Sequence, residues 1–276
     1  MRKPRKVYKY FDFAPDNSEL KKRECNGSLE CLSIDRANSI KALRGRYVWA
    51  SKPTSFNDPF DCQRRMSSKI TREVYIRTGL AMGYGRTTIY KACELMFDAR
   101  GHLTEVGLET INGLVDKAYQ LTAAHGVVCF TTTPVNELMW SHYSDSHRGF
   151  CLEFDLDLAP TWKKFLMGVE YVANNVLPQI TLEDVLRGLN GGPGALQLIL
   201  AKSKNWKYER EWRLVLEHGN CEVAYPEEAL TGVIFGKNID DDNVRLLTKF
   251  IPAGEGRVHY SCQPSDKHFK YHLVKI

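Results

Sequence analysis

The sequence predicts one α+β domain over residues 1–276, with helices inserted between strands. Three observations predict it. Short runs of strand length recur from Val7 to Val274. Residues 70–125 carry helical periodicity instead. No internal repeat, low-complexity tract or long linker divides the 276 residues, and 43% of them are hydrophobic, enough for a sizeable core.

The elements follow in order. Val7–Tyr10 is a first strand, followed by a polar, Gly-containing loop through Gly27. Asp35–Leu43 is a helix: Ile34, Ala37, Ile40 and Leu43 lie three apart, and Gly45 stands just past the end. Tyr47–Ser51 is a strand. Residues 52–61 hold Pro53, Asn57, Asp58 and Pro59, which fix or tolerate bends. Residues 70–125 form a helical insertion or lid, broken near Gly79–Gly85 and at Gly101. Strands return at Val127–Thr131 and Phe150–Phe154, around a short helix over Glu137–Ser144. Residues 181–204 are helical, interrupted at Gly191–Gly194. Strands follow at Trp212–Leu216, Cys221–Ala224, Gly232–Phe235, Arg257–Cys262 and Lys270–Val274, with a helix over Asp240–Phe250.

Bulk properties exclude several classes. The net charge of +5, from 38 basic and 33 acidic residues, is mild. It permits an anionic ligand such as a nucleotide without marking a dedicated nucleic-acid binder. None of the eight cysteines stands in a Cys-x-x-Cys pair, and several, such as Cys129, lie in apolar runs. They read as small buried hydrophobes. The basic start, Arg2 to Lys6, is not followed by an apolar h-region, and no apolar run is long enough to span a membrane. The expectation is a cytoplasmic protein with reduced thiols and no membrane partner. Gly-x-Gly-x-x-Gly, the P-loop and Gly-x-Ser-x-Gly are absent.

Four constellations could carry chemistry. The most informative is Trp206 to Leu216. On a strand, Glu209, Glu211 and Arg213 share one face, while Trp212, Leu214 and Leu216 share the other. The polar face is costly near a core unless its members pair or do chemistry. The plain alternative is a surface strand whose acids pair with Lys207, Arg210 or Arg213. Trp206, Tyr208 and Trp212 argue for a partly desolvated setting instead. The second constellation is Asn57-Asp58-Pro59-Phe60-Asp61, either a loop presenting an amide and acids to a ligand or an Asx-turn. In the third, Trp140 and Tyr143 fall on one helical face, either stacking on a ligand or, as favoured for Trp140, filling the core. His142 and His147 are five apart with no acid or Cys cluster, so no metal is expected. The fourth is Tyr8-Lys9-Tyr10 on the first strand, where an ordinary half-buried strand competes with a ligand-binding one.

Together with Trp49-Ala50-Ser51, Cys129-Phe130, Gly149 to Asp155 and Gly232 to Gly236, these pieces resemble a bacterial family known as domain of unknown function 2971. The resemblance spans nearly the whole chain apart from 70–125. At a second level, the element order resembles the ADP-ribosyltransferase fold, especially its DNA-modifying toxin branch. That resemblance implies a mixed, mostly antiparallel central sheet and NAD as substrate. It places Glu211 as the catalytic acid, with Glu209 two residues before it, and Ser51 at a hydroxyl position. Lys9 stands where the family carries a His that helps hold the nicotinamide-side ribose.

The expectation is therefore an ADP-ribosyltransferase or NAD glycohydrolase, in the company of toxins and phage-defence effectors, with a nucleic-acid or protein acceptor. Glu209 and Glu211 would be catalytic. Tyr8, Lys9, Tyr10, Ser51, Asn57, Asp58, Trp140, Tyr143 and Arg213 would bind substrate, with Tyr10 or Tyr143 stacking on nicotinamide and Lys9 or Arg213 meeting the pyrophosphate. A non-enzymatic ligand- or partner-binding module ranks second. A nuclease using Asp58, Asp61, Glu209 and Glu211 on Mg²⁺ ranks third.

Overall fold

The computed structural model describes residues 2–13, 38–63, 65–66, 70–172, 176–177, 179–189, 196, 199–254 and 256–276. Its centre is an eight-stranded sheet. The strands are β1 (Lys6–Phe11), β4 (Gly126–Thr131), β5 (Phe150–Asp155), β6 (Leu166–Gly168), β10 (Glu211–Leu216), β12 (Leu230–Phe235), β13 (Val258–Pro264) and β14 (Tyr271–Lys275). Their order is β14-β13-β12-β5-β1-β4-β10-β6. All neighbours are antiparallel except β12 and β13. The fold class is thus α+β with a mostly antiparallel sheet. Among the described residues there are also three two-stranded sheets: β2 (Tyr47–Ala50) with β11 (Cys221–Ala224), β3 (Arg65–Met66) with β8 (Gln179–Ile180), and β7 (Glu170–Val172) with β9 (Ala201–Ser203).

One face of the large sheet is apolar. Val7, Phe130, Leu152, Phe154, Trp212, Leu214 and Val233 pack there with Ile40 and Leu43 of α1 (Asn38–Gly45), Trp162 of α6 (Pro160–Phe165) and Leu247 of α8 (Asp241–Phe250). The opposite face carries a second cluster in which Met139 and Trp140 of α5 (Glu137–Tyr143) cover Tyr10, Cys151 and Ile234. Asn136 caps α5 by accepting from the Met139 N–H at 3.1 Å, leaving one fewer orphan donor at its first turn. Gly149, at the entry to β5, passes the Phe11 carbonyl so closely that a Cβ would lie 2.0 Å from it. Only glycine permits that approach.

Residues 72–124 form α2 (Arg72–Ala81), α3 (Arg86–Met96) and α4 (Glu105–Ala124), with breaks where Gly83 and Gly101 take positive φ. They share a hydrophobic cluster of Ile89, Cys93, Met96, Phe97 and Ile111 with Leu182 of α7 (Leu182–Leu189). Sequence reading stops short of the α7 contribution.

Several expectations need correction. Helix is found over Leu182–Leu189 and again at residues 196 and 199–200, but 201–203, expected to continue it, is instead the strand β9, which pairs in parallel with β7. Elements α6, β6 and β7 were not expected at all. The helix expected over Asp35–Leu43 is present over Asn38–Gly45, while its first residues 35–37, residues 14–27 of the expected loop and the Gly191–Gly194 interruption lie outside the described residues. Among the described residues, no helix is long and apolar enough to cross a membrane.

Candidate functional site

Strands β1 and β4 are neighbours in the sheet, yet they pair at Tyr8 and Thr131 alone. Where they part, a cavity of about 300 Å³ opens, lined from both strands, from β2 and the loop after it, from α5 and from the start of β10. That size is at the low end of the roughly 300–1,000 Å³ of ligand pockets.

The expected residues divide cleanly. Tyr8, Lys9, Tyr10, Ser51, Asn57, Tyr143, Glu209 and Glu211 line this one cavity. Asp58, Trp140 and Arg213 do not. Asp58 is buried and accepts from the Phe60 N–H at 2.9 Å, which is the Asx-turn alternative. Trp140 is fully buried, crosses Tyr10 edge-on at 4.9 Å, and donates its indole N–H to the Pro134 carbonyl at 2.8 Å. It is core, so stacking on a ligand is ruled out for that ring. Arg213 is also fully buried, with its guanidinium consumed by protein acceptors, so it is unavailable to a pyrophosphate.

The strand register accounts for Glu211 and Arg213 sharing a face, but it does not place Glu209. Residues Lys204–Glu209 form a 3₁₀ turn, closed by Arg210 in the left-handed region at φ 47°. An Arg in that conformation is uncommon, since the position ordinarily falls to Gly or Asn. The kink, not β alternation, brings Glu209 back over the face that bears Glu211. The Thr131 hydroxyl fixes the turn by donating to the Glu209 carbonyl at 2.5 Å.

The polar face satisfies its charges within the protein. Arg213 donates to Asp61 through Nη1 at 2.9 Å and Nη2 at 2.6 Å, and to Glu211 through Nε at 2.7 Å and Nη2 at 3.1 Å. Its Nη1 also donates to the Ile199 carbonyl. Lys202, on β9, donates to Glu209 at 2.5 Å and to Glu211 at 2.9 Å, and its Nζ lies 3.5 Å from Asp61. The Tyr143 hydroxyl donates to Glu209 Oε1 at 2.7 Å and accepts from Asn57 at 3.2 Å. The Glu211 N–H donates to the Tyr171 hydroxyl at 2.7 Å. Three acids (Asp61, Glu209, Glu211) face two bases (Lys202, Arg213), so the five residues carry one net negative charge.

Environment separates the two glutamates. Burial works against ionised Glu211, but Arg213 and then Lys202 overcome it and hold its carboxyl at about 2. Burial prevails at Glu209, which is pushed above its usual value against the pull of Lys202. Tyr143 is pushed up by burial and by Glu209. Burial opposes the charge of Lys202, yet Glu211, Glu209 and Asp61 together keep it protonated. The site thus offers one fixed anion and, beside it, one carboxyl poised nearer to proton exchange. The acids converge on Lys202 and Arg213. Among the described residues, no group of three or more His, Cys, Asp or Glu has the arrangement to hold a metal ion.

Lys202 was not singled out at all, and Asp61 only as a metal ligand in the nuclease alternative. Asp61 stood in the quoted turn, and one unbalanced negative charge among Glu209, Glu211 and Arg213 asked for a nearby cation. Lys202 supplies it from a segment misread as helix.

A family model described as a protein of unknown function (DUF2971) matches residues 139–214. The matched segment runs from α5 into β10 and contains Tyr143, Lys202, Glu209, Glu211 and Arg213. The resemblance to that family read from the sequence is borne out over those residues. No curated protein and no solved structure matches the chain.

Proposed function

We propose that the cavity is the active site of an ADP-ribosyltransferase or NAD glycohydrolase, with NAD as substrate and a nucleic acid or protein as acceptor. The observation that supports it is convergence. Segments far apart in the chain bring three tyrosine rings, a serine hydroxyl and the three buried carboxylates of Asp61, Glu209 and Glu211 to one cavity at a parting of the sheet. Cleavage of the bond between nicotinamide and ribose sends the bonding pair to the leaving nitrogen and leaves positive charge on the sugar, as in glycoside cleavage. Glu211, held ionised well below the usual carboxylate range, suits stabilisation of that charge. Glu209 suits acceptance of the proton that the attacking hydroxyl or water gives up. Tyr8, Tyr10 and Tyr143 offer faces for the ring. At about 300 Å³ the cavity has room for the nicotinamide-ribose end only.

One observation favours a second reading, a ligand- or partner-binding module. Both oxygens of Glu211 are already taken by Arg213 and Lys202, as in a structural ion-pair network. A single experiment separates the two: release of nicotinamide from NAD, with nucleic-acid and protein acceptors supplied. The enzyme reading expects release by the wild type and a loss of about 10²–10³-fold in Glu211→Gln. No release by the wild type, with Glu211→Gln changing only the melting temperature, would sink it and favour the module.

A further inference from the structure

Lys9 sits in β1 where β1 and β4 have parted, half-buried and lining the cavity beside Tyr8, Tyr10, Tyr143, Glu209 and Glu211. A lysine ammonium carries three donors. Among the described residues, the hydrogen-bond acceptor that Lys9 Nζ meets is the Cys129 carbonyl at 3.4 Å, a long contact, with the Phe11 ring 5.8 Å from it. The salt-bridge acceptors nearby are already committed: Lys202 and Arg213 hold Glu209, Glu211 and Asp61. A partly buried ammonium held by one long contact is poorly satisfied, whereas the neutral amine needs fewer acceptors and keeps a lone pair. Electrostatics point the same way, because burial lowers Lys9 more than Cys129 and Glu211 raise it.

We propose that Lys9 is a carbonyl-capturing residue whose amine forms an imine with a small aldehyde in this cavity, the open-chain form of an aldose being the fitting class. Desolvated lysine amines are the usual partners of carbonyl groups in such chemistry. The Lys9 lone pair forms the C–N bond, the carbonyl oxygen takes up both amine hydrogens, and it departs as water. Ser51, Tyr143 and Glu209 supply hydroxyl and carboxyl partners for the hydroxyl groups of a sugar chain. The inference requires no dinucleotide, so it stands or falls apart from NAD cleavage.

The test incubates the full chain, without NAD, with limiting glyceraldehyde and cyanoborohydride, which delivers hydride to an imine and leaves a stable secondary amine. Peptide mass mapping then compares Lys9 with the exposed Lys237 and Lys267. The expected result is adduct formation at Lys9 at least about tenfold faster, because a desolvated amine stands neutral more often than a solvated one. Lys9→Arg should remove the fast adduct and leave the slow ones unchanged. Because mapping of the wild type locates the fast site by itself, the result survives a variant that folds poorly. Labelling of Lys9 no faster than of the surface lysines, or only after unfolding in urea, overturns the proposal.

Discussion

Glu153 and Glu211 lie in one transverse row of the sheet, through the pairs Glu153–Tyr8, Tyr8–Thr131 and Thr131–Glu211. Both are almost wholly buried, yet their charges are met in opposite ways. Glu153 accepts from the Tyr8 hydroxyl at 3.0 Å, the Thr231 hydroxyl at 2.9 Å and Lys6 at 2.7 Å, and the Lys6 side chain is 41% exposed. Glu211 is met by Arg213 and Lys202, whose side chains are 0% and 5% exposed. Neutral donors and a solvated lysine can relax toward water when one of them is lost. Sealed cations cannot, because each is desolvated for the sake of the others. Burial of a carboxylate is therefore a poor guide to its sensitivity; the exposure of its partner decides.

The largest effect should come at the Glu211 end. Arg213→Met leaves Asp61 and Glu211 buried with one countercharge fewer, and should cost about 3–5 kcal/mol in urea unfolding. A loss below about 1 kcal/mol, the worth of an exposed pair, would erase the contrast.

Acid comes next. Glu211 is held at about 2 against a usual 4.5, so its stabilisation is complete above the unfolded value and is lost as pH falls toward the folded one. Glu209 has the opposite sign: raised in the fold, its ionisation opposes folding above its unfolded value, and its protonation relieves that opposition. With the urea midpoint followed from about pH 7 down to about 2.5, Glu211→Gln should fall less steeply than wild type below about pH 4.5, and Glu209→Gln should lack the gain on acidification that wild type shows above that pH. Identical slopes in all three would show that the two glutamates are not differently held.

The smallest effect belongs to Lys6→Met at the Glu153 end. With Lys6 well exposed and two hydroxyl donors remaining, the expected cost is at most about 1 kcal/mol. A loss matching that of Arg213→Met would show both ends of the row to be equally sealed.

Much of this was legible in the sequence. Period-two alternation separated Trp212 and Leu214 from Glu211 and Arg213, and the structure puts the first pair in the core and the second on the opposite face. The choice between core and ligand for Trp140 went to the core because its indole N–H is spent on Pro134. Illegible were features set by tertiary partners. Nothing local says that Arg210 turns left-handed, or that residues 201–203 leave a helical-looking stretch to lie beside Glu170–Val172. That pairing places Lys202 opposite Tyr171; Lys202 then reaches the carboxylates, and the Tyr171 hydroxyl accepts from the Glu211 N–H. Short elements such as β6 and α6 lack the length for either period to show.

The parting of β1 from β4 has a mechanical consequence. Elsewhere the large sheet is stitched densely: β1 and β5 match over six residues, as do β4 and β10. Along the line that contains the cavity there is one stitch, Tyr8 to Thr131. Spreading the sheet to admit a guest there strains a single rung, while both flanking ladders stay whole. The protein thus carries its compliance where its carboxylates are. Its two leaves can yield at the spine without either page coming loose.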